Sequence, residues 1–364
     1  MRDRTHPPHR PRPPPSPDGR ARTGEQAGYR GPDGTVPALP PSGPHPPRTE
    51  RGSGGPMGRY VARRLLQLIP VFIGTTFLIY LLVWALPGDP FAGKCGERPC
   101  PESFVAVMRE KFNMDDPLFI QYGKYLLNLL QGDFGETFSG TSVGTLISNA
   151  YPVTIRLALI ALLFEALIGV IAGILTGLRG RGFMDNLVLV STLFLIAIPT
   201  FVTGYLVQTV FGLQLGWIAP TVSGNASWGE LLAPGFVLAS VSMAYVARLT
   251  RTSIAENKRA DFVRTAVAKG QPQHRVVGVH LLRNSAIPVV TFLGTDLGAL
   301  MGGAIVTEGI FNINGIGGLV FRSIARQEGT TVTGVVVLLV IVYLVMNLLV
   351  DLLYAVLDPR IRYD

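Results

Sequence analysis

Few residues of this chain have types and spacing suited to chemistry. Gly88-Asp-Pro-Phe-Ala-Gly93-Lys94-Cys95 comes close to the phosphate-loop pattern G-x-x-x-x-G-K-[S/T]. The match fails where it matters. Cys95 is a poor Mg²⁺ ligand, no strand precedes the run and no helix opens at Lys94. The chain therefore has no nucleotide site of its own. Cys95 and Cys100 are its only cysteines. Their closeness in a segment outside the membrane suits a disulfide, with free thiols as the alternative. Two cysteines without a neighbouring histidine do not make a metal site, and no cofactor is expected. Glu165 and Asp296 sit within apolar runs, where a charge costs about 2.5–3.5 kcal/mol on insertion scales. They must face the bundle interior, a partner or a water path. We read them either as lining a translocation path or as hydrogen-bonding between helices. No Ser/His/Asp set is present, because the five histidines lie in the N-terminal tail or in one basic segment.

The elements that position these residues are membrane spans. Hydrophobic residues make up 48% of the chain and charged residues 15%, and mean hydropathy is +0.36. A soluble domain carries about a quarter charged residues. Several apolar runs exceed the roughly 18 residues needed to cross a bilayer. The net charge of +8 comes from the tail and the short loops, the pattern of membrane topology rather than of nucleic-acid binding.

Residues 1–56 hold about half of the 28 prolines. They read as a disordered cytoplasmic tail that cannot bury enough surface to offset its ordering entropy. Met57-Gly58-Arg59 also reads as an alternative start of translation. The first span covers 57–86, and an extracytoplasmic segment covers 87–151, with short helices broken at Asp116-Pro117 and a turn at Gly132–Gly135. Five further spans occupy 152–364: about 152–178, 184–213 with a kink at Pro199, 231–247, 287–307 and 332–357. Six spans place both termini in the cytoplasm, in agreement with the arginines and lysines of the inner loops. Glycines recur every four residues in two spans, at Gly169, Gly173, Gly177 and at Gly294, Gly298, Gly302. Such spacing lets helix backbones approach closely.

The longest basic and polar stretch after Met57 is the loop 248–286. Within it the composition predicts a short helix over Asp261–Lys269. The acid stands at its N-terminal end and the base at its C-terminal end, and Gly270 stops it before Pro272. Phe262, Val263, Ala266 and Val267 form one apolar face. A helix this short is marginal alone in water and needs a surface to dock on.

Arg264-Thr265-Ala266 followed after three residues by Gly270 resembles the EAA loop of ABC importer permeases. DFVRTAVAKG…HLLRNSAIPVVT, RRLLQLIPVFIGTTFLIYLLVWALPGDP, GDFGETFSGTSVGTLISNAYPVTIRLAL and GTDLGALMGGAIVTEGIF are similar to successive parts of the dipeptide/oligopeptide/nickel branch of that family. Arg264 stands where the generic loop has an acid. The resemblance implies an all-α polytopic membrane protein with six transmembrane helices, of the type I ABC importer permease kind. It implies a non-enzymatic transport subunit in the bacterial cell membrane. A second permease would make a heterodimer with it, beside two cytosolic ATPase subunits, an extracytoplasmic substrate-binding protein and membrane lipid. Asp261, Phe262, Arg264, Thr265, Ala266, Lys269 and Gly270 would couple to the ATPase. Short peptides would be the cargo, with nickel or other small solutes behind them. Two readings from other classes stay open on the residues alone: an ion-coupled secondary transporter using Glu165 and Asp296, or a membrane scaffold whose basic loop binds anionic lipid.

Overall fold

The computed structural model describes residues 57–85, 100–180, 182–302 and 304–357. The expected tail and the Gly88–Cys95 run lie outside the described residues. Among those described, the regular structure is helical apart from one isolated bridge between Glu136 and Ser142.

Helix α1 (Met57–Trp84) lies against the C-terminal helix α12 (Gly329–Leu357). Arg64 of α1 forks onto Asp351 of α12 at 2.5–2.6 Å. The rest of α1 shows apolar side chains such as Leu66, Leu78 and Leu82 to the surroundings. The segment between the first two spans includes α2 (Glu102–Lys111) and α3 (Leu118–Leu130). The break falls at Pro117, whose ring suits a helix start. The Tyr122 hydroxyl bonds Thr76 at 2.7 Å, which pins α3 to the flank of α1. The predicted turn follows, with Gly132 and Gly135 both at positive φ and the Gly135 N–H donating to Asp133 Oδ1 at 2.8 Å.

Helix α4 (Val143–Arg179) begins well before Pro152, where the sequence suggested it would. Pro152 reads as a helix start because the first turn tolerates it. Instead the turns before it are held by Val143, Ile147 and Ala150, which pack with Ile316, Val320 and Val335. The third span is more than kinked. α5 (Phe183–Ala197) and α6 (Thr200–Gln214) are bent by 100°. Pro199 forces the preceding Ile198 into extended backbone (φ −90°, ψ 123°) and then opens α6. The described residues contain five helices long and apolar enough to cross a membrane, or six when this bent pair counts as one span.

Helix α7 (Leu232–Asn257) is the centre, in contact with α4, α5, α6 and α9 (Gln273–Met301). Both α7 and α9 run far into what reads as the loop 248–286, and α9 ends at Met301, so Thr307 falls in the separate helix α10 (Ile305–Ile310). Helices carry charged residues past the membrane boundary at little cost, because the side chains reach water. Between them stands α8 (Asp261–Ala268). Helix α11 (Ile316–Ala325) completes the chain before α12.

The glycines of α4 serve packing inside the chain. A Cβ on Gly169 would lie 2.8 Å from Val246 Cγ1, one on Gly173 2.6 Å from the Ala247 carbonyl, and one on Gly177 2.9 Å from Ile254 Cβ. All three faces meet α7. Gly294 and Gly298 likewise meet Val350 and Met346 of α12. Gly173→Val is therefore expected to cost about 3 kcal/mol by forcing α4 off α7. The measurement is the midpoint of thermal unfolding in detergent, and a midpoint within a degree of wild type contradicts this packing.

Candidate functional site

Helix α8 has only eight residues, yet both of its ends are specified locally. Asp261 occupies the first turn, where a carboxylate faces the positive end of the helix dipole. At the other end Gly270 takes φ +69°. Its N–H donates to Val267 O at 2.9 Å, and the Gln271 N–H reaches back to Ala266 O at 3.2 Å. This is the paired C-terminal closure that needs a left-handed residue, which glycine adopts without a Cβ clash.

The apolar face predicted for this helix is divided. Val263 and Ala266 turn inward and are 7% and 4% exposed. They join Ile254 of α7 and Val276 and Leu281 of α9, with Ile174 and Leu178 of α4 against the same cluster. Burying Val263 contributes about 1.5–3 kcal/mol, which gives so short a helix the anchor it lacks by itself. Phe262 and Val267 face outward. Asp261, Arg264, Thr265, Lys269 and Gly270 are also exposed. Ala266, expected on the docking knob, packs inward in this cluster. The helix must first hold to its own bundle, and alanine is the side chain small enough for that close approach. Arg264 and Asp261 are 3.7 Å apart across one turn, both exposed, a contact of little energetic weight.

Three other helices are tied to the C-terminal part of α7. Lys258 Nζ donates to the Leu178 carbonyl at 3.0 Å, closing the end of α4 from α7. Arg251 of α7 forks onto Asp185 of α5 at 2.5 and 2.8 Å. Ser253 Oγ donates to the Ser285 carbonyl at 3.1 Å, and Asn257 Nδ2 donates to Ser285 Oγ at 3.2 Å, joining α7 to α9. The sequence reading missed these ties, because no local pattern links residues so far apart along the chain.

Glu165 and Asp296 do come together, from α4 and α9. Their carboxyl groups lie beside one another. Glu165 opens a π-helical turn, Glu165–Gly169, and is 0% exposed. Among the described residues no N–H or hydroxyl donor reaches either Glu165 oxygen or Asp296 Oδ2, so the two carboxyl groups have each other as their polar neighbours. Glu165, read either as path-lining or as an interhelix contact, is buried here. It is sealed within the chain and meets Asp296 across two helices, because a carboxyl at this depth is less costly facing polar groups than facing lipid. Cys100 is held in a disulfide, and Cys95 lies outside the described residues.

Glu308 forms a second buried carboxyl site on α10. It is 0% exposed. Its Oε1 accepts from Thr154 Oγ1 at 2.9 Å and its Oε2 from the Gly318 N–H at 2.8 Å. Thr154 Oγ1 in turn accepts from the Ile316 N–H at 2.8 Å. One carboxyl and one hydroxyl thereby close the N-terminus of α11, whose own N-cap, Gly315, has no side chain. Burial pushes this carboxyl above its ordinary range, while the Gly318 N–H and the Thr154 hydroxyl pull it back. The signal in sequence was the run Gly315-Ile316-Gly317-Gly318. A Cβ on Gly317 would lie 2.7 Å from Ile305 Cα, so the close approach of α10 to α11 needs glycine there.

Residues 169–363 match the family described as binding-protein-dependent transport system inner membrane component. Residues 57–158 match the N-terminal part of the membrane component of the same systems. The dipeptide transport system permease protein DppB of Alkalihalophilus pseudofirmus is 34% identical over 333 residues, covering 84% of this chain and 99% of that protein. The probable peptide ABC transporter permease protein y4tP of Sinorhizobium fredii is 35% identical over 316 residues, covering 84% of this chain and all of that protein. The glutathione transport system permease protein GsiC of Escherichia coli is 35% identical over 308 residues, again across 84% of this chain and all of that protein. The chain thus belongs to the binding-protein-dependent inner membrane components, as a multi-pass permease subunit of an ABC importer that works with separate ATPase subunits and a substrate-binding protein.

Proposed function

We propose that this permease carries short peptides inward, and that α8 is the part on which an ATPase subunit acts. The observation that carries the coupling role is the division of α8. Val263 and Ala266 lock it onto α4, α7 and α9, while Phe262, Thr265, Val267, Lys269 and Gly270 stay open to a partner. A push on the exposed side is passed to three spans at once, and rocking of those spans switches the path between its two openings. The names of the three relatives support peptides over nickel chelates. The partner permease is a different chain, which makes the pair a heterodimer, and membrane lipid covers the exposed side of α1. Both chain termini are read as cytoplasmic, a reading supported by the basic residues of 248–286 and the arginines at the start of α1 and end of α4. Cys95 and Cys100 are bridged in the outer segment.

Phe262 is the aromatic anchor of the exposed face, and hot-spot aromatics contribute about 2 kcal/mol or more to an interface. Phe262→Ala is expected to weaken ATPase binding roughly thirtyfold and to reduce peptide uptake in step, with thermal stability unchanged. Co-purification of the ATPase at wild-type yield, together with normal uptake, overturns the coupling role. Uptake of a tripeptide, compared with a nickel chelate in cells lacking other importers, tests the cargo.

A further inference from the structure

Helix α3 has three faces, and the described residues cover two of them. At about 100° per residue, Tyr122 and Tyr125 fall on one arc and Gln121, Lys124 and Asn128 on a second. Phe119, Ile120, Leu127 and Leu130 fall on the third. The first arc turns to α1. Tyr122 bonds Thr76 there, and the Tyr125 ring lies 5.4 Å from that of Tyr80. The second arc is held by the residues just before the helix. Gln121 Nε2 donates to the Asp116 carbonyl at 2.7 Å, and Lys124 Nζ donates to Asp116 Oδ2 at 2.6 Å and to Asn113 Oδ1 at 2.8 Å. The third arc is bare among the described residues. Phe119 and Leu130 are 75% and 84% exposed, and Ile120 and Leu127 are exposed as well.

The depth of this bare arc follows from α1. The apolar run of α1 is Arg63–Trp84, 22 residues, or about 33 Å of helix. That is little more than the roughly 30 Å of a bilayer's hydrocarbon core, so nearly the whole run is needed to cross. Trp84, at its end, is the type of residue that settles at headgroup level. Phe77 stands two turns before Trp84, about 10 Å into the core. The Phe119 ring stacks on that of Phe77, with centroids 5.4 Å apart and planes 12° apart. Phe119 is therefore carried to nearly the same depth. Leu81 and Leu78, exposed on α1, stand on the arc next to Phe77, as Leu130 stands next to Phe119 on α3. The two bare arcs meet at the stacked pair.

We propose that α3 lies in the bilayer surface on the Trp84 side, with Phe119, Ile120, Leu127 and Leu130 among lipid acyl chains. A helix placed this way sinks its apolar face about 5–10 Å below the headgroup boundary, the depth that the Phe77–Phe119 stack sets. The occupant is lipid rather than a soluble partner. A water-soluble protein does not reach side chains at that depth, and the arc has no polar side chain to bond one. Gln121 and Lys124 stay out of the lipid because they bond Asn113 and Asp116. The inference rests on α1 as a membrane span, and on neither the cargo nor the coupling role.

The test is spin-label accessibility in the full-length chain in phosphatidylglycerol nanodiscs. Leu127→Cys and Leu130→Cys carry the label on the bare arc, and Asn128→Cys carries it on the polar arc. Labelling without reductant keeps the disulfide that holds Cys100 closed. Molecular oxygen gathers in hydrocarbon, whereas the polar complex nickel ethylenediaminediacetate stays in water. Oxygen access is expected to be greater at Leu127 and Leu130 than at Asn128. Access of the nickel complex is expected to be roughly tenfold smaller there, because a polar solute is strongly disfavoured in an apolar layer. Either bare-arc label suffices should the other variant not fold. Nickel access on the bare arc equal to that at Asn128 means that the arc faces water, and overturns the proposal. Low access to both reagents, as cover by another part of the chain would give, also overturns it. The same labels are then read in the assembled importer. Unchanged oxygen access is expected, and its loss assigns the arc to a protein partner instead of lipid.

Discussion

Ala266→Arg is expected to abolish uptake by releasing α8 from the bundle while the protein still inserts in the membrane. Ala266 is 4% exposed among Ile254, Val263, Val276 and Leu281. An arginine there either forces a charge into an apolar cluster without a partner, or swings the helix outward to reach water. Burying an uncompensated charge costs about 3–5 kcal/mol. Val263, the main apolar anchor, holds α8 by only about 1.5–3 kcal/mol. The anchor is the weaker of the two, so the helix moves and the spans stay. Hydrogen exchange should rise across Asp261–Gly270 and remain at wild-type levels in α4 and α7. Limited proteolysis should cut near Lys269. Phe262→Ala, by contrast, should leave exchange unchanged while uptake falls. Protected amides across α8 in the Ala266→Arg protein would show that α8 is not held in this way.

Glu308→Ala is expected to destabilise the chain around α10 and α11 by about 3–6 kcal/mol. It removes two hydrogen bonds to a carboxyl group, each worth about 1.5–3 kcal/mol. It also leaves the Gly318 N–H and the Thr154 hydroxyl without their acceptor. Glu308→Gln keeps one acceptor oxygen and should lose about half as much. The loss should appear as a lower melting temperature in detergent and as faster exchange over Ile316–Ala325. Acidity adds a second readout. Burial raises the Glu308 carboxyl above its ordinary 4.5, so the folded chain binds this proton more tightly than the unfolded chain does. This contribution to stability is present below pH 4.5 and is lost as pH rises through the elevated value. Glu308→Gln should remove that component of the pH profile. A Glu308→Ala protein within 0.5 kcal/mol of wild type would contradict the capping role.

Much of the fold could be read before any coordinates. Apolar runs of 18 residues or more, set apart by arginine-rich loops, mean helices in a bilayer, because a backbone in hydrocarbon must satisfy its own hydrogen bonds. The short helix at Asp261, its stop at Gly270 and the break at Pro117 were equally legible, since helix ends are local events written in capping residues. Boundaries fared worse. Pro152 and Thr307 looked like span ends. Yet α4 starts at Val143, held by packing against α11 and α12, and the break that ends α9 comes at Gly302.

By itself, then, the sequence determined that this chain is an all-helical membrane protein with a capped polar helix and two acids within apolar runs. Only the tertiary structure decided which way each of those groups faces. The side of α8 that Ala266 occupies, the meeting of Glu165 with Asp296, and the closure of α11 by Glu308 and Thr154 all depend on helices distant in sequence. Helical periodicity shows which residues share a face. It carries no information on which neighbour covers that face, because close packing is settled among all the helices together.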